Sequence, residues 1–339
     1  MAVQLWDATA KAHVIAIDDG GNCRARISDF GARLLDLWLP DAQGRLADVV
    51  LGHEKVAPYT KAAGLFTGAT CGRFANRIAG AGFTLEGRRF ELERNDGDNQ
   101  LHGGSGGFHG KIWRINEVSP RAVRFALHAP EREMGYPGDL AASVRYAFTG
   151  PAQFEITMEA QVAGRATVVN MAHHSYFNLA GQGSGPIDAQ LLRLDAPKYL
   201  PVDAQKIPIG APAAVAGTAF DFRSLRALGA LVPPGGFDHN FCLAARPPDS
   251  PQIEARDPAS GRGFRLWTNQ PGVQLYTGGH FPEGLPGKGG ALYGPRAGFA
   301  LETQGWPDSP NRPDFPSTML RPGESYLHRM VFDLSPRAV

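Results

Sequence analysis

Residues Gln153–Gln161 read Gln-Phe-Glu-Ile-Thr-Met-Glu-Ala-Gln. Phe154, Ile156, Met158 and Ala160 alternate with Gln153, Glu155, Thr157, Glu159 and Gln161. Successive side chains of a β-strand point to opposite faces, so this period of two gathers the apolar groups on one side. One dry face and one wet face describe an antiparallel strand lying over a core.

The same alternation runs through Ala122–His128, Ser143–Phe148 and Tyr326–Leu334. Breakers separate these segments. The chain holds 42 Gly and 27 Pro in 339 residues, against roughly 7% and 5% in an average protein. The longest stretch free of both is Met1–Asp19, and the next is Arg165–Ala180, which leaves little room for long helices. Phe222–Ala230 and part of Leu51–Gly64 have the composition of short helices, while Pro208–Gly217 and Arg246–Gly263 read as long surface loops. No repeat or linker interrupts the pattern. The expectation is an all-β chain, a large antiparallel sandwich or barrel with a few short helices, forming a single domain over residues 1–339.

Composition narrows the function. A hydrophobic content of 43% is enough for a large core and excludes wholesale disorder. Lys and Arg total 34 against 33 Asp and Glu, with no run of five basic residues. That balance offers no global field for nucleic acid and leaves only a local basic patch open. No apolar stretch approaches about 18 residues, and Met1–Asp7 lacks the basic start and apolar run of a signal peptide. Cys23, Cys71 and Cys242 are odd in number and far apart, which argues against a disulfide framework and a cysteine-based zinc site. A reducing cytoplasm is the expected setting.

Several polar residues sit where chemistry or plain structure would each explain them. His102 lies in Asn99-Gln-Leu-His-Gly-Gly-Ser-Gly-Gly107; no Lys-Ser/Thr pair follows, so this is not a phosphate loop, and a simple turn remains open. In Val168–Leu179, strand alternation puts His174, Tyr176 and Asn178 on one face and His173, Ser175 and Phe177 on the other. Two adjacent imidazoles of a regular strand therefore do not share a metal. Glu302 in Gly298-Phe-Ala-Leu-Glu-Thr-Gln304 is either a solvated outer-face residue or a carboxylate needing a partner. Asp238 in Gly236–Phe241 and Gln274 in Gly272–Tyr276 pose the same choice, and Arg77 in Gly72–Ile78 reads equally as a surface ion-pair residue. Taken together, His, Asp, Glu, Arg, Asn and Gln on different strands, with aromatics nearby, are the inventory for holding a neutral polyol, whose hydroxyls both donate and accept.

At this point the chain resembles the aldose 1-epimerase (galactose mutarotase) family. The matching segments are Gly72–Ile78 (GRFANRI), Asn99–Gly104 (NQLHGG), His174–Leu179 (HSYFNL), Tyr199–Asp203 (YLPVD), Gly217–Phe222 (GTAFDF), Gly236–Cys242 (GFDHNFC), Gly272–Thr277 (GVQLYT) and Leu301–Asn311 (LETQGWPDSPN). They run in the family's order from about residue 25 to the C-terminus. The resemblance implies an antiparallel galactose mutarotase-like supersandwich with a sugar cleft on one face. It implies Glu302 as general base, His174 as general acid and His102 as the second active-site histidine. It further implies Asn76, Arg77, His102, Tyr176, Asp238 and Gln274 as groups that bind or frame the sugar, with no cofactor and no metal. The implied partner is a monosaccharide rather than nucleic acid or membrane, and the implied assembly a monomer or homodimer. His109, His173 and Ile209 depart from the residues common at their positions (an acidic residue, Asn and Thr), and none of the three removes a catalytic group.

The implied activity is isomerisation of free aldohexoses such as D-galactose and D-glucose between α and β anomers. Other classes make different demands. A sugar-binding module on the same fold has no use for the Glu302–His174 pair. A glycoside hydrolase wants two carboxylates flanking the bond, for which Asp238 and Glu302 are the candidates. A metal enzyme wants clustered strand-borne ligands, and a sugar-phosphate or pentose mutarotase wants a differently shaped or charged cleft.

Overall fold

The computed structural model describes residues 3–61, 66–245 and 250–336. The alternating segments become the long strands of a nine-stranded antiparallel sheet, ordered Arg114–Ser119, Ala122–Ala129, Asp139–Gly150, Gln153–Ala163, Tyr326–Asp333, Gly263–Thr268, Ile253–Arg256, Leu191–Leu194 and Arg226–Ala227. Phe154, Ile156, Met158 and Ala160 all point into the core, as the period of two requires. Each such large side chain contributes roughly 1.5–3 kcal/mol by leaving water. On the outer face Glu159 pairs with Arg124 and Glu155 with Arg329, both at 2.6 Å.

A second antiparallel sheet has six strands, ordered Tyr176–Phe177, Phe299–Gln304, Gly272–Tyr276, Asp238–Cys242, Lys198–Tyr199 and Ala213–Ala214. A third, five-stranded sheet spans Gln4 to Asp48. One hydrophobic cluster draws on all three: Ile15 and Ile27 from the five-stranded sheet, Phe154 and Phe332 from the nine-stranded one, and Phe241, Val273, Leu275, Phe299 and Leu301 from the six-stranded one. With Val273, Leu275, Phe299 and Leu301 turned inward, their neighbours Gln274, Tyr276 and Glu302 face the other way, off the sheet. Cross-strand register then groups them: Gln274 is opposite Glu302, Asn240 opposite Gln274, and Asp238 opposite Tyr276.

Two local expectations need correction. Phe222–Ala230 is not a helix. Phe222 and Leu228 are buried in the core, Arg226 stacks over the Phe222 ring at 4.2 Å, and Arg226–Ala227 pairs with Leu191 and Leu192 at the sheet edge. That burial and pairing override the helix propensity of the Arg, Leu and Ala residues. Within Arg246–Gly263, residues 246–249 lie outside the described residues, and Ile253–Arg256 is a strand rather than loop, with Ile253 and Ala255 fully buried. The flanking Pro and Gly hide an alternation only four residues long. A short helix does form at Val56–Lys61, while the last residues of the expected Leu51–Gly64 segment lie outside the described ones. Pro208–Gly217 is loop apart from the two-residue strand Ala213–Ala214. The three cysteines are unpaired and buried. Among the described residues no helix is long and apolar enough to cross a membrane.

Candidate active site

A cleft of about 540 Å³ opens on the outer face of the six-stranded sheet. Glu302 and His174 form its floor. Glu302 sits mid-strand in Phe299–Gln304, flanked on both sides by hydrogen-bonded strands, and is 2% exposed. His174 ends the strand Ala172–His174, which pairs with Ala69–Cys71, and its carbonyl accepts the Gly68 amide at 2.8 Å. Its Nε2 lies 3.4 Å from Glu302 Oε1. His173 faces away, bonded to Ser175 Oγ at 2.7 Å, so the two imidazoles separate as strand alternation requires.

His102 reaches the same floor from a turn. Its backbone N–H donates to the Asn76 carbonyl at 3.0 Å, and its Nδ1 accepts the Asn76 N–H at 3.2 Å. Asn76 adopts the left-handed conformation (φ 64°), one that Asn tolerates better than most residues. Gly103 follows His102 at φ 84°, and a Cβ there would stand 2.1 Å from the Gly72 carbonyl oxygen, so only glycine fits. The His102 and His174 rings meet edge to face at 5.3 Å, and Phe66 packs against His102, His109 and His174 at 4.5, 4.7 and 5.9 Å.

The walls carry the remaining candidates. Arg77 Nε donates to Asp96 Oδ2 at 2.7 Å. Tyr176 lies against His174 (5.0 Å) and is braced by Phe281 (4.8 Å). Asp238 accepts the Gln274 amide at 2.7 Å. Of the expected residues, Asn76, Arg77, His102, His174, Tyr176, Asp238 and Glu302 line the cleft. Gln274 does not; it stands behind Asp238 and holds it.

Burial sets the proton affinities. It drives Glu302 well above the usual carboxylate range, Asp238 pushes the same way, and Arg77 opposes. His174 is pushed down to about 4, chiefly by burial; Asp238 raises it and Arg33 lowers it. His102 falls well below its ordinary value, again by burial first, then by the charges of His174, Arg77 and His109. A carboxyl that holds its proton more tightly and an imidazole that holds it less tightly approach each other, the condition for passing a proton both ways. Burial also keeps the Tyr176 hydroxyl protonated.

Donor atoms of His102, His174 and Glu302 all lie within 4.8 Å of one another, close enough to consider a metal. The donor set does not fit one well. The Asn76 amide occupies the Nδ1 lone pair of His102, so the neutral ring carries its proton on Nε2. His102 is therefore a hydrogen-bond donor, whereas a metal wants a free lone pair. Together the floor and walls offer one proton-exchanging pair, one fixed donor and several hydroxyl partners.

Sequence reasoning passed over Phe66, Asp96, Leu101, Gln205, Lys206, Tyr276 and His280, all of which line the cleft. Tyr276 was within reach, two residues from Gln274 on one strand. Asp96 sits in an Asn-Asp-Gly turn, and nothing local says what the turn faces. The others arrive on loops joined only by the fold.

Residues 13–333 match the family profile described as Aldose 1-epimerase. The chain is 43% identical over 315 residues to galactose mutarotase of Bos taurus, covering 92% of this chain and 91% of that one. It is 37% identical over 311 residues to aldose 1-epimerase of Escherichia coli (strain K12), covering 88% of each. Among solved structures, a GalM/aldose epimerase homologue from C. elegans superposes with a TM-score of 0.89 at 29% identity, covering 96% of this chain and 100% of that one. Galactose 1-epimerase from Lactobacillus acidophilus NCFM gives 0.83 at 25%, covering 99% and 98%.

Proposed function

This chain belongs to the aldose 1-epimerase family, and from that premise we propose that it is a mutarotase interconverting the anomers of free aldohexoses, D-galactose and D-glucose first, with Glu302 and His174 exchanging the protons. The observation that carries the reading is the 3.4 Å approach of His174 Nε2 to Glu302 Oε1 at the floor of a polar cleft.

An aldopyranose is a cyclic hemiacetal, and its anomers exchange only through the open aldehyde. Glu302, as carboxylate, takes the proton of the C1 hydroxyl. The C1–O1 bond becomes a carbonyl as the C1–O5 bond breaks, and its electron pair goes to O5, which takes a proton from His174. The aldehyde turns about C1–C2. O5 then returns its proton to His174 and attacks the other face of C1, while O1 recovers a proton from Glu302. Protons and electrons balance, and the enzyme ends as it began.

The pair needs one proton between its two members: His174 holds it while the ring is closed, and Glu302 holds it while the chain is open. Each transfer is worth roughly 10²–10⁴-fold. His102 donates from Nε2 to a sugar oxygen. Arg77, Asn76 and Asp238 hold the hydroxyls that do not react, keeping the open chain near its closing geometry. Tyr176 bounds the ring beside His174.

Polarimetry of freshly dissolved α-D-galactose and α-D-glucose tests the reading. Acceleration toward the same final rotation supports it. Sugar binding without acceleration would point to a binding module instead.

A further inference from the structure

We propose that the cleft also accepts aldoses bearing a carboxylate at C6, the hexuronic acids, and that Lys206 is the residue that selects them. This rests on the mutarotase reading above.

Lys206 lies on the rim, on a turn that is tightly built. Asp203 Oδ1 accepts the backbone N–H groups of Gln205 (2.8 Å) and Ile207 (2.9 Å), and the Lys206 N–H donates to the Asp203 carbonyl at 3.0 Å. Lys206 itself is left-handed (φ 64°). The Asn99 amide reaches Gln205 Oε1 at 3.3 Å, pinning the turn to the segment that carries His102. The lysine is half-buried and lines the cleft, and its charge is felt by His239, next to Asp238.

The other Lys or Arg side chain lining the cleft, Arg77, is matched by Asp96 at 2.7 Å. Among the described residues no carboxylate pairs with Lys206. A half-buried ammonium that lines a cleft without a paired carboxylate finds its partner in a ligand.

The pose of the sugar says where on the ligand that anion sits. Glu302 and His174 are at the buried floor, so the C1–O5 edge must lie there. The C6 arm is exocyclic on C5 and is free to reach toward the rim, where Ala204 and Gln205 are exposed. One ammonium compensates one negative charge. Asp96 and Asp238 line the same cleft, so a dianionic phosphoryl group meets more repulsion than a carboxylate does. The charge count favours a monoanion.

The test measures kcat/KM for mutarotation of D-glucose, D-galactose, D-glucuronate, D-galacturonate and D-glucose 6-phosphate, above the uncatalysed rate, with wild type, Lys206→Met and Lys206→Arg. The expected result is a uronate-to-neutral ratio of about one or more in wild type at low salt. That ratio falls about tenfold in Lys206→Met, the size of one lost charge-assisted hydrogen bond. It recovers in Lys206→Arg and shrinks in high salt. Neutral sugars serve as the internal control for folding. An unchanged ratio in Lys206→Met, or wild-type acceleration of neutral sugars alone, overturns the proposal and leaves the mutarotase reading standing. Lys206-dependent preference for the 6-phosphate over both uronates overturns the carboxylate assignment. No acceleration of any sugar overturns both.

Discussion

His174 Nε2 and Glu302 Oε1 stand 3.4 Å apart although they come from different sheets, His174 from the pair with Ala69–Cys71 and Glu302 from the strand between Gly272–Tyr276 and Tyr176–Phe177. Each sits on a strand fixed by cross-strand hydrogen bonds. The pair is preorganised by the fold, and its chemistry answers to substitution directly.

Glu302→Gln keeps the side-chain shape and removes the base. Mutarotation should fall about 10³-fold in kcat with little change in sugar affinity. Polarimetry together with calorimetric titration of the sugar checks this, and turnover near that of wild type takes Glu302 out of the base role.

The pair acts while it holds one proton, so kcat/KM should be bell-shaped in pH. The acid limb marks uptake of a second proton and the alkaline limb loss of the first; both midpoints belong to the pair rather than to either residue. A profile flat from pH 4 to pH 10 would exclude the mechanism.

Arg33 is 1% exposed, bonds the carbonyls of Thr67 and His109, and lies 4.3 Å over the Tyr59 ring. It braces two loops beside the cleft, and its charge lowers the proton affinities of His109 and His174. Arg33→Met removes the guanidinium's bonds to both carbonyls and should cost about 3 kcal/mol of stability. It should also move both limbs of the pH profile upward, since removing a positive charge makes protons bind more tightly. Lys at this position should restore the profile more than the stability. Limbs that stay in place for Met would reduce Arg33 to a brace.

Gln274→Leu removes the donor that holds Asp238 without touching the cleft wall. KM should rise about tenfold while kcat changes less, because a positioned hydroxyl acceptor is lost and the proton pair remains. Initial rates over a range of galactose concentrations separate the two constants. A fall confined to kcat would contradict the holding role.

Buried neutral histidines make the fold acid-sensitive. His328, fully buried, donates from Nδ1 to the Met171 carbonyl at 3.0 Å and meets Thr303 Oγ1 at 2.8 Å. Burial pushes it and His109 to about 4, and His173 to about 3. Their folded values lie below the unfolded 6.5, so their contribution is whole above pH 6.5 and is lost as pH falls toward 4. By pH 5.5 each should cost about 1 kcal/mol. Scanning calorimetry at pH 7.5 and 5.5 should show a clear fall in Tm, and equal values would contradict the assignment.

The long strands were legible because one face is wet: Glu155 and Glu159 announce their side by meeting Arg329 and Arg124 in solvent. The strand of Glu302 was harder. Both its faces are buried, one by the core and one by the cleft floor, so polarity does not say which way the carboxylate points. Phe222–Ala230 was misread because local propensity carries no record of the edge strand it joins. His102 and His174 were visible as residues and ambiguous as roles, since only the fold brings them edge to face. Lys206 and His280 left no trace at all, because a rim is a property of loops meeting in space.

The six-stranded sheet turns one face to the core and the other to the cleft, and this constrains its history. Deleting one residue between Gly298 and Glu302 would rotate Glu302 into the core and hand Leu301 to the sugar. Length in these strands is therefore frozen, whereas the turn at Asp203–Ile207 and the segment after Tyr276 can gain or lose residues without disturbing the floor. New substrate preferences in this lineage should be written as insertions and deletions around the rim, over a chemistry that stays in frame.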